Sequence, residues 1–164
     1  MGAQTDLEIL PAVPADVPAI LGFIRRLAEY EKLSHEMQAT EQLLNEHLFG
    51  ARPSAEAIIA RLDRQPAGFA LFFGTFSTFL GKPGIWLEDL FVLPEHRRKG
   101  IGLALLQRVA GIAVQRGCGR LEWSVLDWNE PALNFYKQLG AVPMGDWTTQ
   151  RVVGAPLLKL AGNA

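Results

Sequence analysis

One stretch constrains this chain more than any other: Glu88-Asp89-Leu90-Phe91-Val92-Leu93-Pro94-Glu95-His96-Arg97-Arg98-Lys99-Gly100-Ile101-Gly102-Leu103. Trp86 to Leu93 is apolar apart from Glu88 and Asp89, which suits a strand buried on both faces, and Pro94 removes the next ladder donor. From Gly100 onward Ile101, Leu105, Val109, Ile112 and Ala113 recur at three- and four-residue intervals, the pattern of one face of an amphipathic helix. The segment therefore reads as strand, basic turn and helix, with the helix starting inside the turn.

A glycine-bearing turn at a helix N-terminus exposes unpaired backbone N–H groups, and the helix dipole adds roughly half a positive charge there. Gly100 and Gly102 leave the backbone approachable, while Arg97, Arg98 and Lys99 add mobile cations. Two adjacent phosphates fit such a cradle. For glycine pairs in general, a solvated basic turn that uses glycine only for positive φ carries equal weight. The pattern Arg97-x-x-Gly100-x-Gly102 is neither the dinucleotide fingerprint, which needs a third glycine and a later acidic residue, nor the P-loop, which needs Gly-Lys-Ser/Thr.

Bulk properties narrow the function class. A chain of 164 residues predicts a single domain, spanning 1–164 and large enough to bury about 70% of its unfolded surface. A net charge of −1 provides no global field for nucleic acid or acidic lipid, so the cations at 97–99 are a local feature suited to a small anion. Cys118 stands alone, which fits a reducing compartment, and it reads as a small buried or half-buried thiol. Asp6 and Glu8 oppose an export signal, and the most apolar window, Gly68 to Gly81, is shorter than the about 20 residues of a membrane span. A cytoplasmic protein with no membrane or nucleic-acid partner is expected. His35, His47 and His96 lack the spacing of a zinc site, so no metal is expected. The four tryptophans, Trp86, Trp123, Trp128 and Trp147, read as packing residues.

Along the chain, Leu7 to Val13 predicts a first strand, followed by a helix from Pro14-Ala15-Asp16 to about Glu31 and a second, capped by Thr40 and ending at Gly50. Ala55–Leu62 and Ala67–Phe76 form a hairpin around Asp63-Arg64-Gln65-Pro66, and a second turn at 81–84 leads into the strand at 85–93. After the helix at about 101–116, Arg120–Leu126 predicts a fifth strand. Asn129 caps a helix ended by Gly140, and extended runs near Val142–Thr149 and Val152–Leu160 close the sheet. The order is β α α β β β α β α β β, an α/β (α+β) fold with a mixed, mostly antiparallel sheet of about seven strands and helices on both faces.

That order and the loop Arg97-x-x-Gly100-x-Gly102 resemble the GNAT acetyltransferase superfamily. Leu27-Ala28-Glu29-Tyr30-Glu31, Trp86-Leu87-Glu88-Asp89-Leu90-Phe91-Val92 and Trp128-Asn129-Glu130-Pro131-Ala132-Leu133-Asn134-Phe135-Tyr136-Lys137 resemble one branch of it, the diamine acetyltransferases. The resemblance implies acetyl-CoA as co-substrate. Leu90, Phe91 and Val92 would present backbone to the pantetheine arm, and Arg97 with the run Arg98, Lys99, Gly100, Ile101, Gly102 and Leu103 would hold the pyrophosphate. Asn129, Glu130, Pro131 and Ala132 would contact the cofactor from a second helix start. Tyr136 matches the proton donor to the leaving thiolate and Glu88 the acceptor of the amine's proton. Tyr30, Glu31, Asp89, Glu122, Trp123 and Ser124 match substrate-contacting positions. The family also implies a homodimer, with the hairpin at 69–79 and the apolar tail Ala155–Leu160 as interface elements.

The roles have independent chemical reasons. An amine with a pKa near 10.4 costs about 4–5 kcal/mol to deprotonate at neutral pH, and a nearby carboxylate attracts the cation and relays its proton. A phenol remains protonated at neutral pH and can donate to a thiolate. In a regular strand Glu88 and Asp89 point to opposite faces, so only one of them serves a given cleft unless a bulge intervenes, and Tyr136 by itself reads equally as a packed aromatic. Where the polyamine enzymes carry an acidic residue in the loop before the central strand, this chain has Ser77, and the segment ahead of Trp147 is shortened to Gly145-Asp146. The expected acceptor is therefore a primary amine of a small molecule: a diamine, a polyamine, or a thialysine-like amino acid. An unrelated acceptor or acyl-CoA, or a CoA-binding sensor without turnover, are the alternatives.

Overall fold

The computed structural model describes residues 6–162, which form two compact units, one running to Leu126 and the other starting at Asp127. In the first unit, β1 (Leu7–Pro11), β2 (Glu56–Leu62), β3 (Gln65–Ser77), β4 (Lys82–Val92) and β5 (Leu121–Trp123) make one sheet in sequence order. The first four strands are antiparallel, and β5 runs parallel to β4. A parallel neighbour needs a crossover, supplied here by α3 (Ile101–Gln115). The β2–β3 turn is tighter than the expected four residues. Asp63 and Arg64 both take positive φ, 49° and 67°, the backbone twist that suits a two-residue hairpin.

Two helix layers enclose the sheet because each element is apolar on the side it presents. On one face α1 (Val17–Tyr30) and α2 (Glu41–Phe49) bury Ile20, Phe23 and Leu48 against Ile59, Phe69 and Phe91. The Phe23 ring stacks on Phe69 at 5.6 Å and tilts against Phe91 at 6.0 Å. Each such side chain contributes about 1.5–3 kcal/mol by leaving water. On the other face α3 buries Ile101, Leu105, Leu106, Val109 and Ala113, and a Cβ at Gly102 would lie 3.8 Å from the Val92 side chain. Thr40 caps α2 as expected, accepting from the Leu43 N–H at 3.2 Å. Buried Asp16, before α1, accepts from the Val13 N–H at 3.0 Å and pairs with Arg61 on β2, tying the start of α1 to the sheet.

The second unit contains α4 (Glu130–Gln138) and α5 (Gly154–Leu160). Here two expected strands are corrected: the run 142–149 forms no strand, the run 152–160 is largely helix, and among the described residues the sheet has five strands rather than about seven. Pro143 and Gly145 interrupt any alternation in the first run. In the second, Ala155, Leu157, Leu158, Lys159 and Leu160 are good helix formers, and Pro156 falls in the first turn, where its missing N–H does no harm. β5 is also shorter than the expected Arg120–Leu126, with three residues.

Candidate active site

The site is organised by a break in the β3–β4 ladder. Phe69 faces Phe91 and Leu71 faces Asp89, but the next pair is Phe72 with Leu87, so Glu88 has no partner on β3. That extra residue is a β-bulge, and it changes which way the strand points its side chains. Phe69, Leu71 and Phe91 pack on the α1 side, which puts Asp89 there also. Phe72 alternates to the α3 side, and so does its partner Leu87. Trp86, opposite Phe73, returns to the α1 side, where its Nε1–H donates to Glu88 Oε2 at 2.9 Å. Both carboxylates of the Glu88-Asp89 pair therefore share one face, as a bulge alone permits.

The electrostatics follow from this convergence. Asp89 is half-buried, and desolvation first, then the negative charges of Glu88 and Glu31, push its carboxyl up to about 7. Glu31, directly after α1, is itself raised by burial. Three carboxylates on two elements thus crowd one wall, an arrangement that favours a cation in their midst.

Beside this wall lies a cavity of about 520 Å³ lined by Arg26, Glu29, Tyr30, Phe91, Pro94 and Arg97. Arg26 and Tyr30 share a helix face, four residues apart on α1. The Arg97 guanidinium sits 5.2 Å over the Tyr30 ring and 5.7 Å over Phe91, and its Nε–H donates to Val92 O at 3.1 Å. Arg26, Glu29 and Pro94 carried no signal in the sequence beyond their neighbourhood to Tyr30 and to the basic turn.

The turn after β4 has the geometry of an anion cradle. Arg98 and Gly100 take positive φ, 61° and 79°, and Gly100 caps α3 with no side chain over the helix end. The first-turn N–H groups of α3 have no carbonyl within the helix to bind, and open space surrounds Gly100. Backbone N–H groups along Arg98, Lys99, Gly100, Ile101, Gly102 and Leu103 could hold an anion, and the Arg98 and Lys99 side chains are exposed beside them. The β4–β5 ladder ends at Leu87 opposite Trp123, so the β5-side edge of Leu90, Phe91 and Val92 lies beyond the ladder, where an amide-bearing arm can reach backbone groups.

The remaining expected residues fall as follows. Glu122 lies on β5 opposite Trp86 and is held by Arg120 Nε at 2.7 Å; Trp123 follows it, and Ser124 is exposed past the strand. Ser77 is buried at the end of β3, and its hydroxyl accepts from the Leu80 N–H at 3.3 Å, a turn contact. In the second unit Asn129 caps α4 by accepting from the Ala132 N–H at 3.4 Å, with Glu130 and Pro131 in the first turn. Tyr136 lies on α4 with its ring 5.3 Å from that of Phe135.

Comparison with known proteins places this arrangement. The profile of the Acetyltransferase (GNAT) family matches residues 23–141. The chain is 35% identical to a thialysine N-epsilon-acetyltransferase of Mus musculus, over 95% of this chain and 98% of that protein. It is 34% identical to an L-ornithine N5-acetyltransferase of Arabidopsis thaliana, over 89% of this chain and 84% of that protein. Among solved structures, an integron cassette protein from the mobile metagenome of V. cholerae aligns with a TM-score of 0.78 and 30% identity, covering 94% of this chain and 97% of the other. The chain belongs to the GNAT family of acetyltransferases.

Proposed function

We propose that this chain is an acetyl-CoA-dependent N-acetyltransferase that acetylates a primary amine of a small molecule by direct attack on the thioester. The observation that carries the reading is the bulge, which turns Glu88 and Asp89 to the same face as Glu31, next to a cradle that could hold an anion. The acidic wall draws in the ammonium and supplies the carboxylate that takes its proton, the role the family resemblance gives Glu88. The cradle at 98–103, with Arg97 beside it, holds the coenzyme A phosphates. Leu90, Phe91 and Val92 offer backbone to its pantetheine arm, and Asn129, Glu130, Pro131 and Ala132 offer a second helix start. Tyr136 donates the proton that the departing thiolate needs.

Much of the rate would come from holding both substrates together, a contribution that reaches about 7–11 kcal/mol. The curated relatives act on thialysine and ornithine, and an amino acid with a side-chain amine suits an acidic wall that lacks a further carboxylate at Ser77. The match of the family profile across both units supports their working as one domain. The exposed Phe76, Phe79 and Leu80 at the β3–β4 turn, and Leu157, Leu158 and Leu160 on α5, support the expected homodimer. No helix among the described residues is long and apolar enough to cross a membrane, and no group of three or more potential metal ligands occurs among them.

The deciding experiment measures free-CoA release from acetyl-CoA with thialysine, ornithine, lysine, putrescine, spermidine and spermine, against a no-acceptor control. Acceptor-dependent release establishes the activity and ranks the amines; release at the control rate despite tight acetyl-CoA binding refutes it in favour of a sensor. Tyr136→Phe is expected to lower kcat by about 10²-fold or more with acetyl-CoA affinity unchanged. Unchanged turnover removes Tyr136 from the mechanism.

A further inference from the structure

We infer that Asp89, rather than Glu88, is the group that takes the proton from the acceptor's ammonium, and that Glu88 orients the cation. The inference rests on the acetyl-transfer reading and moves one role within it by a single residue.

Geometry separates the two carboxylates. Glu88 is the bulge residue: it is exposed, and one of its oxygens is occupied by the Trp86 Nε1–H at 2.9 Å. That oxygen already has a donor, and the bond fixes the direction in which the Glu88 carboxylate points. Asp89 is held in the ladder opposite Leu71, half-buried, on the side occupied by α1. The groups whose charges act on it from the two elements around it are both carboxylates, Glu88 on its own strand and Glu31 at the end of α1. Arg97, which lines the adjoining cavity, is engaged by the Tyr30 and Phe91 rings and by Val92 O.

Proton affinity points the same way. An ordinary carboxylate is about six pKa units below an amine, a million-fold mismatch, whereas Asp89 at about 7 narrows it to a few thousand-fold. A base close to the working pH is the better proton acceptor. An arriving ammonium relieves the crowding of three negative charges; once the proton has passed to Asp89, the wall keeps two.

The proton count closes. The ammonium gives one proton to Asp89, and the free amine attacks the thioester carbon. The new C–N bond forms and the C–S bond breaks. The second proton leaves the nitrogen, the thiolate is protonated to free CoA, and Asp89 returns its proton to solvent.

The test is the pH dependence of kcat/KM for wild type, Asp89→Asn and Glu88→Gln, with the best amine of the panel. Wild type is expected to rise tenfold per pH unit and level off above about pH 7, where Asp89 is ionised. Asp89→Asn should lose at least about 10²-fold near neutrality and climb without levelling until the acceptor's own pKa, because only free amine then reacts. Glu88→Gln should keep the break and move it to lower pH, since one of the charges that raises Asp89 is gone. Acetyl-CoA affinity, measured by calorimetry, should be unchanged in both variants. A break that survives in Asp89→Asn and vanishes in Glu88→Gln overturns the inference while leaving acetyl transfer intact. Wild type that turns over no amine overturns both.

Discussion

Replacing Asp89 by Asn should make the protein more stable at neutral pH while it cripples the chemistry. The carboxyl is raised from its ordinary 3.8 to about 7 by burial and by two neighbouring carboxylates. Raised above its unfolded value, it favours the fold while protonated: that contribution is fully present below about pH 3.8 and is lost as pH climbs through 7. A rise of this size corresponds to about 4 kcal/mol at full ionisation. Asp89 retains some solvent access, so screening should reduce this to about 2 kcal/mol. Asn has nearly the same shape and no charge to lose. Urea denaturation of both proteins at pH 4 and pH 8 should therefore give equal stability, or slightly less for the variant, at the acid end. At pH 8 the variant should be ahead by about 2 kcal/mol, about 4–8 °C in Tm. A stability difference that does not change between the two pH values would show that Asp89 ionises normally in the fold and would remove the electrostatic account of the wall.

Two further predictions concern the scaffold. A Cβ at Gly68 would lie 2.5 Å from Phe91 O, so Gly68→Ala must push β3 away from β4 just beyond the bulge. A loss of about 1–3 kcal/mol by chemical denaturation is expected, with weaker acetyl-CoA binding by calorimetry. Arg64→Gly relieves a non-glycine residue at φ 67° in the exposed hairpin turn and should stabilise the protein by about 0.5–1 kcal/mol without changing turnover; a loss of stability would show that the turn is held by side-chain contacts.

The helices were legible in the sequence because their apolar spacing is regular and their ends carry caps. The face formed by Ile20 and Phe23 and the Thr40 cap are cases in point. The cradle could be read because glycine and basic residues at a strand-to-helix junction leave few alternatives. The tail was not legible: Val152 to Leu160 is apolar enough for either structure, and what decides is the absence of β-branched residues after Val153. The bulge was also hidden. Leu87 and Leu90 are acceptable on either face, so adjacent carboxylates gave no hint of which way each points. Only the cross-strand register, with Phe72 opposite Leu87 and Leu71 opposite Asp89, decides it. For the same reason Trp86, read as a packing residue, proved to hold the Glu88 carboxylate through its indole N–H.

The bulge also sets what kinds of sequence change β4 can absorb. The residues on either side of it pair with β3 without a gap, Phe72 with Leu87 and Leu71 with Asp89, so Glu88 is an insertion into an otherwise continuous ladder. Deleting it would leave those pairs in place, with Leu87 toward α3 and Asp89 and Phe91 toward α1, as regular alternation requires. The packing of Phe91 against Phe23 and the short ladder to β5 would survive as well. What would go is the carboxylate of Glu88 beside that of Asp89, and the local bend that a bulge gives its strand. Position 88 should thus tolerate substitution, and even deletion, as far as folding is concerned, with the cost falling on catalysis. The core can do without this residue; the acidic wall is what it serves.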